Sequence, residues 1–250
     1  MAGRTSTPGA TVTGRVFTVL ETFAAERPIQ SLTEVSHRSG LPLSTTRRLI
    51  GELVAQGALE RLPNGTYRVG IRLWQLGSIA LQQRGLREAA FPSMNDLYEA
   101  TRENVELMVL DGTAALCVEK VYGRTSVPSD TKVGSFVPLH ASSVGKVLLA
   151  FSAREVLERT IDRGLERRTP LTLVEPERLA AALTDVRRSR VAFARQEMAL
   201  GVVAVASPII NRTTGEVVAA LGLIARAGTS LERLAPAVHT AALGISRLLR

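Results

Sequence analysis

The stretch Ser31–Gly57, SLTEVSHRSGLPLSTTRRLIGELVAQG, admits little besides two short helices meeting at a tight corner. Ser31 with Glu34 three residues on makes a capping box, which satisfies amide groups that a helix start would otherwise leave unpaired. Leu32 and Val35 share a face, and Gly40 suits the left-handed residue that ends a helix. Pro42 then fits the first turn of a second helix, where its missing N–H costs nothing. On that helix Leu43, Thr46, Ile50 and Leu53 line one face with Leu49 beside it, leaving Ser44, Thr45, Arg47 and Arg48 outside. Small hydroxyls followed by paired guanidiniums near a helix start suit a reader of the DNA major groove.

A helical hairpin with a solvated basic face would show the same pattern, and the next dozen residues separate the two readings. Ala58–Leu62 and Thr66–Val69 flank Pro63-Asn64-Gly65, and Asn-Gly between two such runs predicts a β-hairpin. A hairpin directly after a recognition helix is the wing of a winged helix-turn-helix. Before it, Val16, Val19, Leu20 and Phe23 predict a helix over Thr13 to Ala25, with Arg15 near its start placed for a backbone phosphate. Ile29-Gln30 is expected to pair with the wing as a short strand. Residues 1–11, small, polar and Pro/Gly-containing, are expected to be a flexible arm.

The charge agrees with a polyanionic partner. The net charge is +8, and residues 1–90 carry eleven arginines and no lysine against six glutamates, so five of the eight excess charges fall in little over a third of the chain. A single cysteine, Cys117, excludes an intramolecular disulfide and a multi-cysteine zinc site, and its apolar neighbours suggest a buried thiol. His37, His140 and His239 show no ligand spacing, so no metal and no cofactor are expected. No signal segment or membrane-length apolar run appears, and the expectation is a cytoplasmic protein with no membrane partner.

Ile71 to Gln83, with Leu73, Leu76 and Ala80 on one stripe and Trp74 and Ile79 beside it, predicts a linker helix, taken as 71–85. Its apolar surface is wide enough to pack on the DNA-binding unit, on a second domain or on a sister chain. From Leu86 the pattern changes. A helix is expected over 86–101, strands over 105–110 and 114–121 around Asp111-Gly112, and an irregular segment over 127–137. Helices follow at 142–151, 153–163 and 176–190, then strands at 191–195, 202–210 and 217–225, and a closing helix at 230–249. Antiparallel strands with helices at both ends make this an α+β fold rather than a parallel nucleotide-binding sheet.

Four separated blocks in this order resemble the IclR family of bacterial transcriptional regulators: GLPLSTTRRLI; GALERLPNGTYRVG with IRLWQLGS; PLHASSVGKVLLAF; and DVRRSR with EMALGVVAVASPIINRTTGEVVAALGL. The resemblance covers nearly the whole chain, from about residue 12. It implies a winged helix-turn-helix over 12–70 joined by the linker helix to an effector-binding and oligomerisation domain of GAF/PAS-like topology over 86–250. It also implies a homodimer or dimer of dimers on palindromic double-stranded operators, controlled by a small organic effector. Ser44, Thr45, Thr46, Arg47 and Arg48 become the candidate base and phosphate contacts, with Arg15, Asn64 and Arg68 supporting them. In the resemblance the effector sits beside the start of the 142–151 helix, where free amides and the helix dipole favour an anion. The candidates there are His140, Ser142, Ser143, Val144 and Gly145. Family members that bind very small acids look polar or acidic at positions aligning with Ala194, Ala204, Gly222 and Ile224. The small or apolar residues here imply a roomier, more apolar pocket, for an aromatic or longer acyl acid or amide.

Ser143-Val144-Gly145-Lys146 also matches S-x-x-K, in which a lysine one turn on activates a serine nucleophile. No K-T-G follows, and Ser129-Asp130-Thr131 precedes the motif instead of following it. A serine hydrolase therefore stands as the alternative, and a regulator rather than an enzyme as the reading.

Overall fold

The computed structural model describes residues 11–24 and 27–249, which divide into two units, one ending at Gln83 and the other beginning at Arg84. The arm expected over 1–11 lies, apart from Thr11, outside the described residues.

In the first unit α1 (Val12–Leu20), β1 (Ile29–Gln30), α2 (Leu32–Ser39), α3 (Leu43–Ala55), β2 (Leu59–Arg61), β3 (Tyr67–Val69) and α4 (Ile71–Arg84) follow in order. The helix α1 starts on the Thr11 cap and ends five residues before the expected Ala25. The Gln30 side-chain amide donates to the Thr22 carbonyl at 2.8 Å, a carbonyl that a continuing helix would have used internally. The capping box of α2 is complete, with the Glu34 carboxylate accepting from the Ser31 amide at 2.7 Å. Gly40 ends the helix at φ 66°, a left-handed conformation glycine adopts at little steric cost. Val19 of α1, Val35 of α2, and Leu49, Ile50 and Leu53 of α3 close a small core with Leu59 of the wing. The order of the three-stranded sheet is β1-β3-β2, so the Ile29-Gln30 strand does pair with the wing.

The base of the wing is tight. The Gly70 amide donates to the Ala58 carbonyl at 2.9 Å, and a Cβ on Gly70 would stand 2.2 Å from the Gly57 carbonyl oxygen. The Arg72 guanidinium, on the first turn of α4, donates to the Gln56 carbonyl just beyond α3 at 2.8 Å. Along α4, Ile71, Trp74, Leu76 and Ile79 are exposed in this chain.

The second unit comprises α5 (Leu86–Thr101), β4 (Asn104–Asp111), β5 (Ala114–Val121), β6 (Phe136–Pro138), α6 (Ser143–Ala150), α7 (Arg154–Asp162), α8 (Pro176–Ser189), β7 (Ala192–Arg195), β8 (Val202–Ile210), β9 (Val217–Arg226) and α9 (Leu231–Leu248). All six strands pair antiparallel in the order β6-β5-β4-β9-β8-β7. The expected irregular stretch 127–137 is a loop that ends in the edge strand β6, which pairs with the start of β5. α5 and α9 pack together and on the sheet, while α6 and α8 pack together and on the sheet within a second apolar cluster. With both faces covered, β4, β8 and β9 each contain an unbroken run of five or more buried residues, without the alternation of a half-exposed strand.

Candidate nucleic-acid interface and effector site

The outer face of α3 is set by what the helix buries. Thr46, Leu49, Ile50 and Leu53 point into the core, which leaves Ser44, Arg47 and Arg48 exposed and Thr45 half-buried on the outer side. Thr46 corrects the candidate list. It is fully buried and its hydroxyl faces the Leu41 and Pro42 carbonyls at 3.4 and 3.2 Å, so it braces the corner between α2 and α3 and cannot reach a base. Arg48 lies over Glu52 one turn on at 2.6 Å, a solvent-exposed pair of small energetic weight. In the wing, Asn64 is spent on the turn: its side-chain oxygen accepts from the Thr66 amide at 3.1 Å and the Thr66 hydroxyl at 2.6 Å. Arg68 bridges the hairpin to Glu60 at 2.7 Å, and Arg15 is half-buried on α1.

In the second unit the strand register assembles residues far apart in sequence. One row across the sheet runs Ala194, Ala204, Ile224, Asn104; the next runs Ala192, Ala206, Gly222, Glu106, Lys120. Two-residue spacing along each strand puts both rows on one face. That face meets the first turn of α6, because a Cβ on Gly222 would stand 2.5 Å from Val144 Cγ1 and 3.4 Å from Glu106 Oε1. The sheet candidates Ala194, Ala204, Gly222 and Ile224 thus lie together, with Val144 against Gly222.

The remaining candidates are less uniform. Ser142 is the N-cap: its hydroxyl accepts from the Gly145 amide at 3.0 Å and donates to the Pro138 carbonyl at 2.8 Å. It is committed to the cap, which corrects its place among ligand-binding hydroxyls. Gly145 lies against the Leu139 backbone, where a Cβ would meet Leu139 Cα at 2.5 Å, so its amide and its size both serve packing. His140 ties its Nε2 to the Glu166 carbonyl at 3.0 Å, a link to the loop after α7. Among the described residues the amides of Ser143 and Val144 donate to no protein acceptor, so they keep the open donors of the helix start. The face is not uniformly apolar: Val144 fills the space that Gly222 leaves, and a carboxyl stands in the middle of it.

That carboxyl, Glu106, was missed by the sequence reading, although its signal was there: one charged residue inside the apolar strand Asn104-Val105-Glu106-Leu107-Met108. It is 3 % exposed, and its Oε2 is buried without a hydrogen-bond partner. Burial pushes its pKa up to about 7, against the attraction of Lys120. Lys120 itself donates to the Thr131 carbonyl at 2.7 Å, and Asn104 to the Val127 carbonyl at 2.7 Å. These bonds hold the 123–134 loop beside a cleft of 480 Å³ lined by Asn104, Lys120, Tyr122, Ser126 and Asp130 among others.

The serine-hydrolase alternative fails on its lysine. Lys146, 3 % exposed, donates to both Glu197 carboxylate oxygens at 2.6 Å and to the Phe193 carbonyl at 3.0 Å, so its ammonium is committed across the domain and not to Ser143. Burial lowers its pKa, opposed by Glu197. Among the described residues no cluster of three metal-ligating side chains occurs, and no helix is long and apolar enough to cross a membrane.

Two known families match successive segments of the chain. The family described as IclR helix-turn-helix domain matches residues 12–63, and that described as bacterial transcriptional regulator IclR C-terminal matches residues 78–247. The HTH-type transcriptional regulator XynR of Escherichia coli is 30 % identical over 212 residues, 84 % of this chain and 83 % of that protein. The transcriptional repressor IclR of the same organism is 32 % identical over 197 residues, 77 % and 72 % of the two chains. A crystal structure of an IclR homolog complexed with 4-hydroxybenzoate, from Microbacterium hydrocarbonoxydans, superposes with a TM-score of 0.89 at 34 % identity, covering 96 % of this chain and 99 % of that one. The chain belongs to the IclR family of transcriptional regulators, DNA-binding, ligand-responsive proteins and not enzymes.

Proposed function

We propose that the chain is a sequence-specific operator-binding regulator in which Thr45, Arg47 and Arg48 meet base edges. Ser44, Arg15, Arg68 and the Asn64 turn hold phosphates, which position the reader without conveying sequence. The observation that carries the reading is the pair of exposed guanidiniums on α3, opposite a face wholly committed to the core. A homodimer, or a dimer of dimers, on a palindromic site fits the exposed apolar side chains of α4, and the 12–70, 71–85 and 86–250 segments serve as reading head, linker and effector domain. The effector is an aromatic or acyl acid or amide bound beside Ser143 and Val144, over the Ala194, Ala204, Gly222 and Ile224 face. The ligand of the Microbacterium homolog, 4-hydroxybenzoate, supports that class. Binding there changes operator affinity through a coupling free energy between the two sites.

Fluorescence anisotropy on palindromic fragments from the gene's own neighbourhood tests this, with salt varied and 4-hydroxybenzoate present or absent. Tight binding to one fragment, weakening steeply with salt and shifting with the aromatic acid, is expected. Equal binding to all fragments would overturn the operator reading, and an unchanged affinity with bound 4-hydroxybenzoate would overturn the coupling.

A further inference from the structure

We propose that Glu106 makes the effector site select a carboxamide over the matching carboxylate. The inference rests on the effector site described above and deepens it by naming the functional group that the site recognises.

Two unmet hydrogen-bonding groups lie where the first turn of α6 meets the sheet. The first turn of α6 offers the Ser143 and Val144 amides as donors, and Glu106 Oε2 is a buried acceptor without a partner. Gly222 lies between the two residues: a Cβ there would stand 2.5 Å from Val144 Cγ1 and 3.4 Å from Glu106 Oε1. A buried polar atom left unpaired in a native fold is rare enough to require a reason, and a ligand group is one. The two sites ask for opposite things: the helix start takes an acceptor, and an ionised Glu106 takes a donor. A primary carboxamide carries both on one carbon. Its oxygen accepts from the amides of α6 while its NH₂ donates to Glu106. A carboxylate satisfies the helix but sets its second oxygen against a carboxylate, in surroundings of alanine, isoleucine and valine that screen little.

Selection follows protonation. The charged and titratable groups that act on Glu106 are Lys120, opposite it on β5, and Cys117 on the same strand; Gly222 is its partner on β9. Cys117 is pushed up to about 12 by burial and stays neutral, while Lys120 donates to the Thr131 carbonyl and is attracted by Glu106 and, less, by Asp130. On α6, Lys146 is closed in its pair with Glu197. Of Glu106, Lys120, Cys117 and Lys146, Glu106 is the one that burial raises to about 7. When it takes up a proton it becomes a donor and a carboxylate fits; when it loses the proton only the amide does.

Calorimetry on the full chain with benzamide and benzoate, repeated with hexanamide and hexanoate, reads this directly. Each acid is ionised and each amide neutral across the range used, so any pH dependence belongs to the protein. At about pH 8.5 the amide of a pair should bind at least about tenfold more tightly than its acid, and the ratio should shrink toward unity by about pH 6. Glu106→Gln, whose side-chain amide donates at every pH, should raise acid affinity about tenfold at the higher pH and abolish the pH dependence. A melting temperature for that variant no lower than the parent's confirms that it folds. Equal binding of acid and amide at the higher pH, or a ratio that Glu106→Gln leaves unchanged, overturns the selection and leaves the effector site standing. Failure of all four compounds to bind overturns the effector class and this inference with it.

Discussion

Helices α3 and α6 put their cations to opposite uses. On α3 four of thirteen residues are buried, and its arginines stay in water. On α6 all eight residues are buried, and its lysine is held in a pair with Glu197. A helix that reads a polyanion needs one apolar stripe and a solvated face that sheds its water and counterions on contact. A helix enclosed on every side leaves each polar atom on it either paired or waiting for a partner.

The largest effect that would sharpen the contrast is at Lys146. Replacing it with Met strands the Glu197 carboxylate, and the second unit should lose about 3–5 kcal/mol in denaturant unfolding. Adding Glu197→Leu should recover most of that loss; no recovery would mean the pair is not what holds the two segments together. Next comes pH. Glu106 binds its proton more tightly when folded, with a pKa of about 7 against 4.5 for an unperturbed carboxyl. Unfolding therefore releases a proton, and stability should fall by about 3 kcal/mol between roughly pH 4.5 and 7, then level off. A pH series of melts on the parent and on Glu106→Gln checks this, and only the parent should slope in that window. On α3 the effect moves from fold to partner. Arg48→Ala should cost about 1–3 kcal/mol of operator affinity while stability changes by less than about 0.5 kcal/mol, since only its exposed pair with Glu52 is lost. Operator titrations and melts, run together, separate the two. The smallest change expected is for Thr46→Val: about 1 kcal/mol of stability from the lost hydroxyl contacts, with base preference intact. A changed preference would return Thr46 to the reading face.

The first unit was legible because each of its signals is local. Ser31 and Glu34, Gly40, and Asn64-Gly65 each specify their own few residues, and the structure places a cap, a left-handed stop and a turn there. Where a long-range bond decides, the sequence fell short, as when Gln30 reaches back to Thr22 and ends α1 before Ala25. Thr46 was named twice by its spacing, as a core position and as a reader, and only its burial decides between them. The second unit was legible in its elements but less so in its site. The pairing of Gly222 with Glu106, and of Lys146 with Glu197 fifty-one residues on, depends on strand register and loop path, which no window of the sequence contains. A sheet covered on both faces also erases the alternation that would have shown which way Glu106 points.

The closeness of Gly70 to Gly57 has a mechanical meaning. With no room for even a methyl group between the wing's exit and the end of α3, and with Arg72 donating to the Gln56 carbonyl, the first turn of α4 is fixed to the end of the helix that carries Arg47 and Arg48.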